Sequence, residues 1–476
     1  MANVVIIGAG FAGHTAALYL GDSLGKNHSV TVINRQDYFS YIPSWVWVGI
    51  GNMKPEKTIF PLQPVYSKMN IDFIHGKATE IHAADQYVVA EQDFDKEIVK
   101  IKYDYLIIAT GPKLNFEGTK GLGPKGNTHS ICTLDHAVSS RDKYLEIVER
   151  MKKGEKQKIV VGTGHSGATC QGAALEYITN IHKDLVKKGL RDRAEMTYFT
   201  NEKALGDFGV RGIHVKHKDK VVTSEEFIGA IFKEYDFKIE IQRGANEVDE
   251  KQIHWEDFEG NYGETDYDFA MLVPQFLGQP FKFFGSNGED VAEKIANPAG
   301  FILVDAIYGL PWVSLAENPD AWPAVYQNST YKNIFAGGIA FAPPGPISQP
   351  HTTPNGTSIT AAPPRTGMVS GIIGRIIAKN IIDLIEKGEM THQERMSEMA
   401  AACIASMGDS LWDGSAATIM MYPVVPDSKR FPNDYGRDLF VTHMEMGLAG
   451  AWMKRMIHTT FMHKLRARVG WKIIPE

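Results

Sequence analysis

The sequence predicts an α/β fold: two nested Rossmann-like dinucleotide-binding domains followed by a C-terminal amphipathic helical segment. Three observations carry that expectation. The apolar run Val4-Val5-Ile6-Ile7 enters Gly8-Ala9-Gly10-Phe11-Ala12-Gly13 and then a helical stretch from His14 to Leu20. That is a strand, a glycine turn and a helix whose N-terminal amides suit a phosphate. The design repeats at Ile159-Val160-Val161 and Gly162-Thr163-Gly164-His165-Ser166-Gly167. Two further strands end in small residues, Leu106-Ile107-Ile108 before Ala109-Thr110-Gly111 and Ile334-Phe335-Ala336 before Gly337-Gly338-Ile339. Such ends let backbone approach a ligand. One glycine fingerprint alone is weak evidence, whereas the ordered set specifies a layout with two dinucleotide units.

The second strand, from Ser29 to Ile33, ends at Asn34-Arg35, and Asn34 lies 21 residues past Gly13. A dinucleotide fold usually carries an acid there for a ribose hydroxyl, so Asn34 weakens an NAD reading of the first site. Residues 1–113 and 297–385 read as one discontinuous domain, 114–296 as the inserted second domain, and 386–476 as a Met-rich helical region. The prolines between Ala342 and Pro364 mark a loop. Just past the second fingerprint stands Cys170. The pattern places it about one turn inside the following helix, where the dipole favours a thiolate. The alternative is a small buried hydrophobe, as many unpaired cysteines are.

The bulk numbers bound the function. With 476 residues, 43% hydrophobic, the chain can hold two or three domains, and its net charge of -6 does not suit a nucleic-acid binder. Cys132, Cys170 and Cys403 form no CxxC element, so neither a disulfide framework nor a metal site is expected. The N-terminus runs directly into a strand, without the basic start of a signal peptide. The most apolar stretch, Gly371 to Ile385, is interrupted by Arg375 and Lys379 and is too short for a span of ~18 residues.

Near the C-terminus, Met444, Leu448, Trp452 and Met456 recur at helical spacing, and Phe461, Leu465 and Val469 repeat the pattern on what reads as a further helix. Lys454, Arg455, Lys464, Arg466, Arg468 and Lys472 surround them with little acid. Core packing explains the stripes. The excess of charge favours helices lying in a bilayer interface, which makes the protein monotopic and peripheral to the cell membrane.

On this framework the chain resembles the sulfide:quinone oxidoreductases. The matching stretches are Tyr38 to Ser44, Ser130 to His136, Gly164 to Glu176, Pro364-Arg365-Thr366-Gly367 and Cys403 to Asp409, in the same order. The resemblance implies FAD as cofactor, held by Gly8, Ala9, Gly10, Phe11, Ala12, Gly13, Asn34, Arg35, Ser44, Ala78, Ala109, Thr110, Gly111, Gly338, Ile339, Arg365, Thr366 and Gly367. It implies that Cys170 and Cys403 are the redox pair that accepts sulfur from hydrogen sulfide, with sulfane sulfur or polysulfide as product and a membrane quinone as acceptor. Cys132 falls on a third cysteine that shuttles sulfur or bonds the flavin, and Glu176 and His136 fall on acid/base candidates.

Plainer readings stand beside these: Cys132 as a bystander, Glu176 as an exposed helix residue, His136 as the cap of its helix. Arg365 replaces the family's usual lysine and keeps its charge, Asp207 stands where some members carry histidine, and the loop before Pro364 is longer than usual. Competing functions are a type II NADH dehydrogenase, a flavocytochrome c-type sulfide dehydrogenase and a flavin-bearing sulfur or redox sensor. The oligomeric state is open, a homo-oligomer included.

Overall fold

The computed structural model describes all residues except Arg365, Asp409, Ser410, Leu411 and Asp413. Its first sheet holds β1 (Asn3–Ile7), β2 (Ser29–Asn34), β3 (Asp72–His82), β4 (Tyr87–Gln92), β5 (Ile98–Lys102), β6 (Tyr105–Ile108) and β11 (Ile334–Ala336), in the order β11-β6-β1-β2-β3-β4-β5. From β11 to β3 every pairing is parallel. Val4, Ile6, Leu106, Ile108 and Ile334 are fully buried there, as a sheet covered on both faces requires. Ile7 is in register with both Ile33 and Ile108, so the strand ends converge on the first glycine turn. Helix α1 (Phe11–Leu24) starts there and packs on α5 (Gly367–Lys387). Their approach needs glycine, because a Cβ on Gly374 would lie 2.2 Å from the Ala12 carbonyl oxygen.

The second sheet is wholly parallel, in the order β9 (Phe237–Glu240), β8 (Ala194–Phe199), β7 (Gln157–Thr163), β10 (Phe269–Val273). Two short strands, Lys113–Asn115 and Gln275–Leu277, pair at the crossing between the units. The chain rejoins the first sheet at Lys282–Phe284, which pairs with β3, earlier than the boundary expected at 297. No helix among the described residues is long and apolar enough to cross a membrane.

The C-terminal region departs from the expected run of helices. It contains a three-stranded antiparallel sheet, β12 (Ala401–Met407), β13 (Ser415–Met421) and β14 (His443–Gly447), followed by one helix, α6 (Leu448–Lys464). Met444 is a buried residue of β14, opposite Ile419, and does not continue the face of Trp452 and Met456. Leu465 caps α6 and Val469 lies beyond it, so the second stripe is not a second helix. The reason is packing: a Cβ on Gly450 would come within 2.7 Å of Thr418 Oγ1, so α6 lies directly on β13.

The end of the chain is fastened to the first domain. Buried His14 bonds Tyr66 Oη through Nδ1 (2.9 Å) and the Leu465 carbonyl through Nε2 (2.6 Å), and burial pulls its pKa down to about 4. Lys464 forms a buried ion pair with Glu476 at 2.7 Å. Trp471 packs edge-on against Tyr19, and Lys472 pairs with Asp22. Removing the residues after Tyr435 therefore strips core contacts from the first domain. Such a truncation is expected to lose cooperative thermal unfolding, and a sharp melt near that of the full chain would contradict this role for the tail.

Candidate active site

The first glycine turn forms an open cradle. Gly8 adopts φ +101°, and a Cβ there would meet the Ala109 carbonyl oxygen at 2.4 Å; one on Gly13 would meet the Gly8 oxygen at 2.0 Å. A Cβ on exposed Gly10 would touch nothing within 4 Å, and the same holds for Gly111 at φ +66°. Asn34 Oδ1 accepts from Ala9 N (2.9 Å), so the residue found in place of an acid braces the turn. The carbonyl of Arg35 bonds His75 Nε2 (2.9 Å), and the residue is exposed.

Thr110 follows β6, and Gly338 at φ +65° begins the turn with Ile339, 3.2 Å from Ala12 Cβ by the same Cβ test. Thr366 caps α5, with its buried hydroxyl lacking a partner, and Gly367 stands against the Phe11 ring. Ala78 is buried at a bulge of β3. Two helix N-termini, an open glycine cradle and an orphaned hydroxyl together fit the diphosphate and ring edge of FAD. Ser44 is engaged elsewhere, its hydroxyl bonding His458 Nδ1 at 2.8 Å. Arg365 lies outside the described residues.

The second glycine turn is closed. Asn201 Nδ2 donates to the carbonyls of Ser166 (2.9 Å) and Ala168 (3.1 Å), and backbone amides of Thr360 and Ala362 reach the same two oxygens. With those carbonyls occupied, residues 164–169 cannot enter a helix, and α4 (Gln171–Lys187) begins only after Cys170. Cys170 is thus the N-cap, at φ 67° and ψ 34°, and not one turn inside. Its thiol remains at the positive end of α4. Glu202, the acid that follows β8, is turned inward. It accepts from Thr200 Oγ1 (2.9 Å), Tyr198 Oη (3.2 Å) and Phe208 N (2.8 Å), and burial pushes its pKa up to about 7. It is not offered to a ribose.

Cys403, on β12, crosses the first turn of α4: its Sγ lies 3.7 Å from where a Cβ of Gly172 would sit. The structure so brings Cys403 beside the helix that Cys170 caps. Glu176 belongs to the same cluster and is buried, unlike the exposed helix residue of the plainer reading. Its Oε1 accepts from Ser406 N (3.0 Å) and the Ser406 hydroxyl, and Lys454 Nζ pairs with its Oε2 at 3.0 Å. Burial pushes the Cys403 thiol up to about 11, with the Glu176 charge adding and the Lys454 charge opposing.

Cys132 is half-buried in the loop before α3 (Leu134–Lys152), and burial raises its thiol to about 11 against a hydrogen bond from Ser130. Its neighbour Ile131 abuts Gly49, just after α2 (Trp45–Val48), where Tyr177 of α4 also bonds. His136 sits in the first turn of α3, and Thr133, not His136, is the cap. The His136 ring packs on Phe116 with Nδ1 buried and unpartnered, and no hydrogen bond draws it to Glu176 or the cysteines. Asp207 is buried and bonds the Ser348 hydroxyl and Gly209 N; burial raises its pKa.

Sequence reasoning missed Ser406 and Lys454 as site residues, and Asn201 as the lock on the second turn. No local pattern marks them, since each acts on a residue far away in the chain. Two of the six basic residues expected at the bilayer interface, Lys454 and Lys464, instead point inward to buried acids. On the outer side of α6, Trp452 and Met456 remain 51% and 58% exposed.

Comparison with known proteins fits this geometry. The pyridine nucleotide-disulphide oxidoreductase model matches residues 2–230. A sulfide-quinone reductase of Aquifex aeolicus is 30% identical over 436 residues, covering 91% of this chain and 87% of that protein. The chain belongs to the sulfide-quinone reductase family. The crystal structure of the sulfide:quinone oxidoreductase from Aquifex aeolicus superposes with TM-score 0.78 at 29% identity, over 98% of this chain and 92% of that one. A mitochondrial sulfide:quinone oxidoreductase of Dictyostelium discoideum is 24% identical over 308 residues, 64% of this chain and 61% of that protein. The NDH2 of Plasmodium falciparum in complex with NADH shares the fold, with TM-score 0.66 at 13% identity over 99% and 97% of the two chains. As a family member the chain is an FAD-dependent oxidoreductase.

The charges around Cys403 make a signed prediction. Glu176→Gln removes a negative charge, so the Cys403 thiol pKa falls and more thiolate exists at about pH 8; Lys454→Met acts in the opposite direction, each by about one pH unit. Alkylation of Cys403, followed by peptide mapping across pH, is expected to speed up in the first variant and slow down in the second. Superimposable profiles in all three proteins would show that Glu176 and Lys454 do not act on this sulfur.

Proposed function

We propose that this protein oxidises hydrogen sulfide at the Cys170 and Cys403 sulfurs and passes the electrons to a membrane quinone. The observation that carries the reading is Cys403 Sγ lying over the first turn of the helix that Cys170 caps, next to buried Glu176 and Lys454. In the oxidised site HS⁻ attacks one sulfur of a Cys170–Cys403 link. The new S–S bond forms a persulfide on that cysteine, the old bond breaks, and the other cysteine leaves as thiolate. Lys454 and the helix N-terminus stabilise the developing negative charge, and the Glu176 carboxylate, aimed by Ser406, takes the proton of the bound sulfur. The cradle of Gly8–Gly13 and the start of α5 would hold FAD, which would supply a two-electron acceptor between the sulfurs and the quinone.

Repeated attack lengthens the sulfur chain, so the product is sulfane sulfur or polysulfide, and Cys132 serves as a further sulfur carrier. The closed second glycine turn and the inward Glu202 argue against NADH as the donor. The outer face of α6, with Trp452 and Met456, rests on the lipid surface from which quinone is drawn, making the protein peripheral to the membrane.

Cys170→Ser and Cys403→Ser are each expected to abolish flavin bleaching by sulfide while FAD stays bound. Rapid bleaching in either variant would remove the thiol pair from the reaction, and turnover of NADH without sulfide by the unmodified protein would overturn the reading as a whole. Replacing Trp452 and Met456 together by Ser is expected to lower co-sedimentation with lipid vesicles about tenfold or more with the melting temperature unchanged. Undiminished binding would move the lipid contact off α6.

A further inference from the structure

Thr169, the residue before Cys170, is buried, and its hydroxyl faces two carbonyl oxygens, those of Ala362 and Pro363, each 3.1 Å away. Alongside it, Ala362 N donates to the Ala168 carbonyl (3.1 Å) and Thr360 N to the Ser166 carbonyl (2.9 Å). The chain from 360 to 363 therefore runs along the second glycine turn as a fixed edge. It also passes close to the backbone of Gly209, where an added Cβ would lie 2.3 Å from the Ala362 oxygen. Pro363 and Pro364 have no N–H and a fixed φ, so the edge is stiff. Three residues beyond Pro363 it reaches Thr366, the cap of α5, whose first turn stands against Phe11 of the flavin cradle.

On the other side of the tether Cys170 is in the left-handed region at φ 67°, which a non-glycine residue holds only when its surroundings fix it. Asn201 pins the turn at Ser166 and Ala168. Thr169 is the last side chain that fixes the backbone before the thiol.

We infer that Thr169 is a positioning residue, whose hydroxyl ties the backbone of Cys170 to the segment entering α5 and so sets how the Cys170 sulfur meets the flavin. The inference rests on the sulfide reading, and its test separates the two. Thr169→Val keeps the shape and removes the hydroxyl; Thr169→Ser keeps the hydroxyl. In the holoenzyme, Thr169→Val is expected to slow sulfide-driven flavin reduction about tenfold or more, since a shift of about 1 Å at a reacting atom is enough for that. Thr169→Ser restores it. FAD content and the reoxidation of dithionite-reduced flavin by quinone stay at the level of the unmodified protein. Iodoacetamide labelling of Cys170, followed by mass spectrometry and needing no sulfide, changes in the Val variant and returns in the Ser variant.

A Val variant that matches the unmodified protein in both flavin reduction and labelling overturns the inference. So does equal damage in both variants, or loss of FAD in the Val variant, since a merely structural residue behaves that way. If sulfide fails to bleach the unmodified holoenzyme, the sulfide reading falls, and the labelling comparison still decides whether the tether exists.

Discussion

The surroundings of Cys403 depend on one buried ion pair, Glu176 with Lys454. Three distant parts of the chain meet at it: Glu176 from α4, Ser406 from β12 beside Cys403, and Lys454 from α6. Taking a carboxylate out of water costs several kcal/mol, and only a well-placed partner offsets it. Loss of either member leaves an uncompensated charge next to the Cys403 sulfur. The pair thus forces α6 onto β13 and α4 together, and Gly450 is what allows that approach. The clamps at His14, Lys464 and Trp471 then hold the far end of α6 against the first domain.

The same constraint explains how much of the molecule is legible in its sequence. The first domain reads well because its signals are local: Val4 to Gly13 contains its own strand, turn and helix start, and Ile334 to Ile339 its own strand end. Cys170 was legible as a residue of interest and not as a cap, because the start of α4 is decided by Asn201 and by Thr360 and Ala362, which sequence spacing does not connect to it. The strands at 401–407 and 415–421 escaped a periodicity reading for a similar reason. Runs such as Ala401-Ala402-Cys403-Ile404-Ala405 are too small and too evenly apolar to choose between helix and strand, and the choice comes from packing on α4 and α6.

The nearness of Cys170 and Cys403 has no local signature either and came only through family resemblance. What the resemblance could not supply was the electrostatic setting. Ser406 is an ordinary serine in a strand, and Glu176 is one of two acids, with Asp184, on its helix. Their pairing appears only when β12 is laid across α4, and with it the opposing effects of Glu176 and Lys454 on the Cys403 thiol.

The basic tail shows how a charge count can mislead when helix geometry is left out. At about 100° per residue, Lys454 lies about 200° from both Trp452 and Met456, while those two lie within about 40° of each other. One helix therefore sends a lysine inward to Glu176 and its large apolar side chains outward. Lys464 is likewise turned in, to Glu476, and Lys472 is paired with Asp22. Lys454 and Lys464 are thus buried against acids of the protein itself, while Lys472 is paired at the surface. What α6 turns outward is then led by two large apolar side chains, Trp452 and Met456. This helix cannot be cut away without dismantling the surroundings of Cys403, because its Lys454 face is part of them.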